Sequence, residues 1–335
     1  MAFDVVIRGT GSYLPERIFT NQEFEALLDT SDEWIVQRTG IRQRRLAAPG
    51  EANSDMGLAA ARQCLERCNL EPNDVDLIIV PTVTPDTPFP ATANWLQGKL
   101  GNTRAWSFDI NAGCSGFIYG LATATSLLSC GTAKRCLLIG SEKMSALLDF
   151  TDRSTCVLFG DGAACVLLEA VESQNNPNGY GVKLFSMGSD GLNAEILYQP
   201  AGGSSQPPTF RSVMAHDHYV HMSGREVYSH AIRRMETSIL DVLERGGTSA
   251  GEIDWFVPHQ ANARIIETIH QRMELPAERF FVNIDKYGNT TAATIPLCID
   301  EMDQAGLLKA GDKLVLFTFG TGLTWGSCLL TWGAP

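Results

Sequence analysis

The chain has 335 residues, enough for about two domains and a sizeable core without disulfides or a structural metal. With 44% hydrophobic and 19% charged residues it has the composition of an ordinary globular protein, which excludes a disordered or fibrous chain. A net charge of −12 makes the molecule as a whole repel nucleic acid and anionic membranes, so an acidic partner has to find a local basic patch.

In chain order, Met1-Ala-Phe-Asp leads straight into a β-like segment without the basic-then-apolar run of a signal peptide, and no stretch of about 18 apolar residues follows. Nine cysteines form no Cys-x-x-Cys pair, which fits a reducing compartment; a cytoplasmic protein is expected. Gly9-Thr-Gly11 has neither a third glycine nor a phosphate-binding lysine and reads as a tight turn. Helix-period segments over 56–68, 115–128, 225–244 and 262–272 alternate with short branched runs over 76–80, 136–139, 254–257 and 313–317. This rhythm predicts an α/β protein with parallel strands and crossover helices. The Pro-, Gly- and Ser-rich segment 199–211 reads as a surface insertion.

The second half repeats the first. Asp74-Val-Asp-Leu-Ile-Ile-Val-Pro81 returns as Glu252-Ile-Asp-Trp-Phe-Val-Pro258, Gly113-Cys114 falls opposite Gly288-Asn289, 134–139 falls opposite 313–318, and 162–168 is echoed by 326–330. Two related halves, 1–172 and 173–335, are expected. A pseudo-twofold axis between them would bring equivalent loops to one central site at the carboxyl ends of the strands.

Three residues at strand-to-helix junctions are candidates for that site. Cys114, in Asn111-Ala-Gly-Cys-Ser-Gly-Phe117, sits on a small-residue turn at the start of a helix, where the macrodipole and free N–H groups are expected to favour the thiolate. His259 follows the strand ending at Pro258, the one histidine of six at such a junction. Asn289, in Tyr287-Gly-Asn-Thr290, reads on its own as a helix N-cap. His216, His218 and His221 form a histidine run, but no second group of ligands accompanies it and no metal is expected.

Together these residues resemble the β-ketoacyl-[acyl-carrier-protein] synthase III family, condensing enzymes of the thiolase superfamily. The resemblance runs nearly end to end and rests on Thr30-Ser-Asp-Glu-Trp-Ile-Val-Gln-Arg-Thr-Gly-Ile41, Ala112-Gly-Cys-Ser-Gly-Phe117, Phe159-Gly-Asp-Gly-Ala163, Pro258-His-Gln-Ala-Asn262, Tyr287-Gly-Asn-Thr290 and Thr324-Trp-Gly326. It implies a duplicated thiolase-like fold, five-layer αβαβα, a homodimer, and a Cys114-His259-Asn289 triad. Cys114 would accept the acyl group of an acyl-CoA, and malonyl-[acyl-carrier-protein] would then lose CO2 and attack the acyl-enzyme, starting fatty-acid synthesis. His259 and Asn289 would donate hydrogen bonds to the developing enolate oxygen. Backbone N–H groups of Cys114 and of the loop Phe319-Gly-Thr-Gly-Leu323 would hold the attacked carbonyl.

The same resemblance assigns Thr30, Trp34, Arg38, Arg153 and Asn262 to CoA, with indole stacking on adenine and guanidiniums on phosphate or ring faces. It assigns Gln260, Ala261, Asn262, Ala263 and Arg264 to the carrier protein, and Phe89 to the acyl pocket of the partner subunit. No cofactor is implied, acyl-CoA being a substrate. Two departures stand out: Thr321 occupies a position where relatives often have glycine, and Ser229, His270 and Gln271 stand where many relatives have lysines, leaving Arg233, Arg234, Arg264 and Arg272 for docking. The alternatives are a related acyltransferase of secondary metabolism with another primer or acceptor, a Cys-His-Asn thiol hydrolase in which the asparagine only orients the histidine, and a non-catalytic acyl-CoA-binding scaffold.

Overall fold

A computed structural model describes residues 3–335. The first sheet is formed by β1 (Phe3–Tyr13), β2 (Leu77–Pro81), β3 (Trp106–Ile110), β4 (Arg135–Lys143) and β5 (Asp161–Glu172), in the order β1-β5-β4-β2-β3. The second is formed by β6 (Gly181–Ser189), β7 (Trp255–Pro258), β8 (Lys313–Gly320) and β9 (Thr324–Thr331), in the order β6-β9-β8-β7. Both orders carry the same directions: two antiparallel pairings, then parallel ones. The fifth strand of the first sheet is reduced in the second to one parallel bridge between Phe256 and Phe280. The repeat therefore reaches β1 and β6, which lie outside the four matched segments of the sequence.

Among the described residues seven helices of eight residues or more complete the fold: α1 (Asp32–Thr39), α2 (Asn53–Cys68), α3 (Thr92–Leu100), α4 (Gly116–Ser129), α5 (Gly224–Arg245), α6 (Ala263–Arg272) and α7 (Thr294–Gln304). Strand residues alternate between two cores, as the period of two requires. In β2 and β4, Leu77, Ile79, Cys136 and Leu138 face α4 and α7, while Ile78, Val80, Leu137 and Ile139 face α2 and α3. The second sheet turns Leu314 and Leu316 to α4 and α7, and Val315 and Phe317 to α5 and α6. The layers are thus α2/α3, sheet, α4/α7, sheet, α5/α6.

The central layer fixes the site. Phe117, Leu121, Ile295, Ile299 and Met302 are fully or almost fully buried between the sheets. Each contributes about 1.5–3 kcal/mol by leaving water. Separating α4 from α7 would therefore consume most of a domain's stability of about 5–15 kcal/mol, and the two helices hold their N-termini in a fixed relation. A smaller apolar cluster, including Phe19, Phe24, Ile35 and Met144, carries α1 beside this centre. Helix α1 is capped by the Ser31 hydroxyl, which accepts from Trp34 N at 3.1 Å, and it ends at Gly40 with φ 78°. A Cβ on Gly40 would lie 2.5 Å from that of Ala263, so only glycine lets α1 rest on the start of α6.

Candidate active site

Cys114 is presented by a 3₁₀ turn, Gly113–Ser115, between β3 and α4. Gly113 takes φ 56°, and a Cβ there would lie 2.3 Å from the Thr321 methyl. The second half grips this elbow from above: Thr318 Oγ1 donates to Cys114 O at 3.0 Å, and Thr324 Oγ1 to Ala112 O at 2.9 Å. The thiol is only 7% exposed. Burial pushes its pKa up to about 12 and the Glu142 carboxylate adds to the rise, against weaker opposing bonds from its own N–H and from the Asn289 side chain. The expectation of a favoured thiolate is corrected: desolvation outweighs the helix start, and the resting group is a neutral thiol.

His259 follows β7, its N–H held by Phe317 O at 2.8 Å. Its Nδ1 lies 2.6 Å from Thr294 Oγ1, at the first residue of α7, while Nε2 is buried without a partner among the described residues. Burial lowers its pKa to about 3, so the ring is neutral at pH 7. Asn289 sits where Phe159 and Asn289 form a parallel bridge; its N–H bonds Leu158 O at 2.8 Å, and its Oδ1 accepts from Thr291 N at 2.8 Å. That cap-like bond supports Thr291 in the left-handed region, φ 52°, an unfavourable conformation for a β-branched residue. Asn289 thus uses its carbonyl as a turn anchor and its amide side toward Cys114.

Cys114, His259 and Asn289 line the floor of one cavity of about 690 Å³. Its outer wall carries Trp34, Arg38, Arg153, Asn262 and Arg264. The guanidinium carbons of Arg38 and Arg153 lie 4.9 and 5.3 Å from the Trp34 ring centre. Asn262 caps α6 through Arg264 N at 2.9 Å and donates to Arg38 O at 3.0 Å, tying the two halves together at the rim. A second cavity, of about 340 Å³, adjoins the first and shares Cys114, Phe159 and Leu197 with it.

Two family models match this chain: 3-oxoacyl-[acyl-carrier-protein (ACP)] synthase III over residues 108–191, and the C-terminal model of the same synthase over 243–332. A β-ketoacyl-[acyl-carrier-protein] synthase III of Caldanaerobacter subterraneus is 47% identical over 326 residues, covering 97% of both chains. The chain belongs to the β-ketoacyl-[acyl-carrier-protein] synthase III family. A relative of that name from Rhizobium meliloti is 48% identical, covering 98% of this chain and 99% of the relative. The solved synthase III of Thermus thermophilus superposes with a TM-score of 0.90 at 43% identity, covering 98% of this chain and all of that one. The duplicated thiolase-like fold is that of the family.

Within this synthase III chain several expected contacts need correction. Gln260 is 1% exposed; it donates to Pro258 O and Phe281 O and accepts from Asn283 N, so it braces the His259 loop from inside rather than forming surface for a carrier protein. Thr30 is not in the cavity wall, and its Oγ1 is buried without a partner among the described residues. Of the docking arginines, Arg272 is paired with Glu236 at 2.7 Å, and Arg234 lies over Trp325 at 4.3 Å and 3.5 Å from Asp190. Arg264 and Arg225 remain at the cavity mouth, with the Arg264 guanidinium over Tyr228 at 6.0 Å. Ala261 lines the cavity, Ala263 packs on Gly40, and Phe89 projects outward, 85% exposed.

The histidine run separates: His216 Nδ1 meets Asp149 at 2.5 Å, His218 packs on Tyr219, and His221 lies against Tyr198. Among the described residues no group of three or more His, Cys, Asp or Glu side chains is placed to hold a metal. Two residues escaped the sequence reading. Thr294 is an ordinary helix-start residue until His259 is seen against it. Glu142 is fully buried at the end of β4, accepting from Thr84 Oγ1 at 2.6 Å, Thr82 Oγ1 at 3.0 Å and Val83 N at 3.1 Å, with its pKa raised by burial to about 7. A lone acid in the apolar run Cys136-Leu-Leu-Ile-Gly-Ser-Glu142 was the available signal.

Proposed function

We propose that this protein condenses an acyl-CoA primer with malonyl-[acyl-carrier-protein], releasing CoA and CO2 and giving 3-ketoacyl-[acyl-carrier-protein], the opening condensation of fatty-acid synthesis. The observation that carries the reading is the placement of Cys114, His259 and Asn289 on one cavity floor beneath a rim of Trp34 and arginines. The rim suits a nucleotide with phosphates, and the floor suits a thioester.

In the first step the Cys114 sulfur attacks the acyl carbonyl as its proton leaves, the bond to the CoA sulfur breaks, and the proton ends on the CoA thiol. A thiol with pKa near 12 has to lose its proton during attack rather than before it, and His259 Nε2 is the base available. In the second step malonyl loses CO2, and the enolate oxygen needs two donors. Asn289 Nδ2 is one and His259 Nε2–H the other. Thr294 allows the ring both roles. Its single hydroxyl proton, turned to Thr291 O at 3.1 Å, makes Nδ1–H the donor and Nε2 a base; turned to Nδ1, it goes with an Nε2–H donor. Thr291 O already accepts the Thr294 N–H, so neither orientation strands it.

Trp34, Arg38, Arg153 and Asn262 are assigned to CoA, and Arg264 with Arg225 to the carrier protein. A homodimer belongs to the same proposal. Edge strand β3 has a neighbour on one side only among the described residues, and it carries exposed Trp106 stacked on Phe108, apolar surface suited to a second copy. The decisive experiment is intact-mass detection of acyl-Cys114 over a series of acyl-CoAs, followed by malonyl-[acyl-carrier-protein] and product analysis. Acyl-enzyme followed by a ketoacyl product is expected. Absence of product with every primer refutes the condensation, and acylation followed only by free acid would indicate a hydrolase.

A further inference from the structure

The smaller cavity, which Cys114 also lines, has an apolar stretch of wall made by Val83, Ala112, Met144, Leu147 and Val220, suited to an acyl chain, beside polar Asn111, Gln199, Thr291 and Thr324. Thr321 stands in that wall beside the elbow. Its side chain is held at both ends. The hydroxyl donates to Leu197 O, and the methyl occupies the space that a Cβ on Gly113 would fill, 2.3 Å from that position. Its own carbonyl lies 2.9 Å from Thr324 Oγ1, whose single proton is shared between this oxygen and Ala112 O. Leu197 is in the short strand Leu197–Tyr198, which pairs with His221–Met222 at the base of the inserted segment. A single side chain therefore joins three walls of the cavity: the loop after β8, the nucleophile's elbow and the insertion.

We propose that Thr321 is a specificity-determining residue that selects straight-chain acyl primers over those branched next to the carbonyl. The proposal rests on the acyl-transfer reading of Cys114. Residue 113 adjoins the nucleophile, so the Thr321 methyl crowds the part of the cavity nearest the sulfur, where the first carbons beyond the thioester carbonyl lie. Branching there requires space that the methyl fills, whereas a straight chain passes along the apolar wall. The hydroxyl bond to Leu197 prevents the side chain from turning away.

The test measures single-turnover acylation of Cys114 by butyryl-CoA and isobutyryl-CoA, read by intact mass. One methyl group in a pocket discriminates by about 10- to 200-fold. Thr321→Ser, which keeps the hydroxyl and removes the methyl, is expected to shift the butyryl-to-isobutyryl rate ratio at least about tenfold toward isobutyryl. Thr321→Val, which keeps the methyl arm and loses the bond to Leu197, is expected to slow both primers while holding the ratio within about threefold of the parent. Thr321→Ala serves if the serine variant fails to fold. A ratio unchanged in both Ser and Ala variants, or shifted as far in Val as in Ser, overturns the proposal. Failure of the parent protein to be acylated by either primer overturns instead the reading on which it rests.

Discussion

The two halves place a glycine of positive φ before their key residue, and they use the resulting turn differently. Gly113 delivers Cys114 onto α4; its Cβ is excluded by Thr321 of the other half. Gly288, φ 66°, delivers Asn289 ahead of α7; its Cβ would meet Leu158 O of the first half at 2.9 Å. Each turn is thus shaped by contacts from the opposite half. The first turn leaves a side chain to react, and the second spends one end of its side chain on its own backbone and leaves the other end to donate. The lesson is that duplication supplied one scaffold twice, and the difference between nucleophile and donor lies in what the neighbouring half packs against each turn.

Removing either residue should break this comparison in opposite ways. Cys114→Ala is expected to abolish the acyl adduct in intact-mass spectra. Asn289→Ala should retain acylation but lower malonyl decarboxylation by about 10²–10³-fold, the usual cost of one oxyanion donor, with some loss of thermal stability as Thr291 loses its anchor. Equal loss of acylation and decarboxylation in Asn289→Ala would remove the distinction.

The halves should also differ in how pH affects them. His259 titrates near 3 when folded and near 6.5 when unfolded, so its contribution to stability is present above 6.5 and is lost as pH falls toward 3. Glu142 titrates near 7 when folded and near 4.5 when unfolded, so its contribution is present below 4.5 and is lost as pH rises through 7. Urea midpoints across pH 3 to 8 are expected to flatten on the acid side in His259→Gln and between 4.5 and 7 in Glu142→Gln. A profile that neither variant changes would contradict both assignments.

Smaller effects probe the contacts between halves and the rim. Thr318→Val removes the bond to Cys114 O and should cost about 1–2 kcal/mol in denaturant unfolding, with slower acylation. Arg38→Ala and Arg153→Ala should each raise KM for acyl-CoA by roughly tenfold, equivalent to about 1.4 kcal/mol, with kcat little changed and the penalty shrinking at high salt.

Much of the scaffold was legible because its longest elements carry strong periodicity. Helices α2, α4, α5 and α6 begin and end within three residues of their sequence-based limits, and the strands β2, β4, β7 and β8 lie where the apolar runs put them. The junction positions of Cys114, His259 and Asn289 also anticipated that they would share a cavity. What the sequence hid depends on partners distant in the chain. Glu142 is satisfied by Thr82 and Thr84, and His259 by Thr294, and no local pattern links them. Gln260 was assigned to the carrier protein by the family resemblance, whereas three backbone groups draw it inward. The thiolate expectation weighed a helix terminus, an effect of at most about 2 kcal/mol, without the burial that opposes it.

The shared central layer has a consequence for how the chain can be divided. Segment 173–180 lies between β5 and β6, outside both sheets, and forms a short 3₁₀ turn followed by irregular chain. A cut there would leave one fragment with the bare apolar face of α4 and the other with that of α7, each surface complementary to the other. Neither piece could stay soluble for long alone. Expressed together they form a natural pair for fragment complementation, in which the return of activity reports that two separately made polypeptides have found each other.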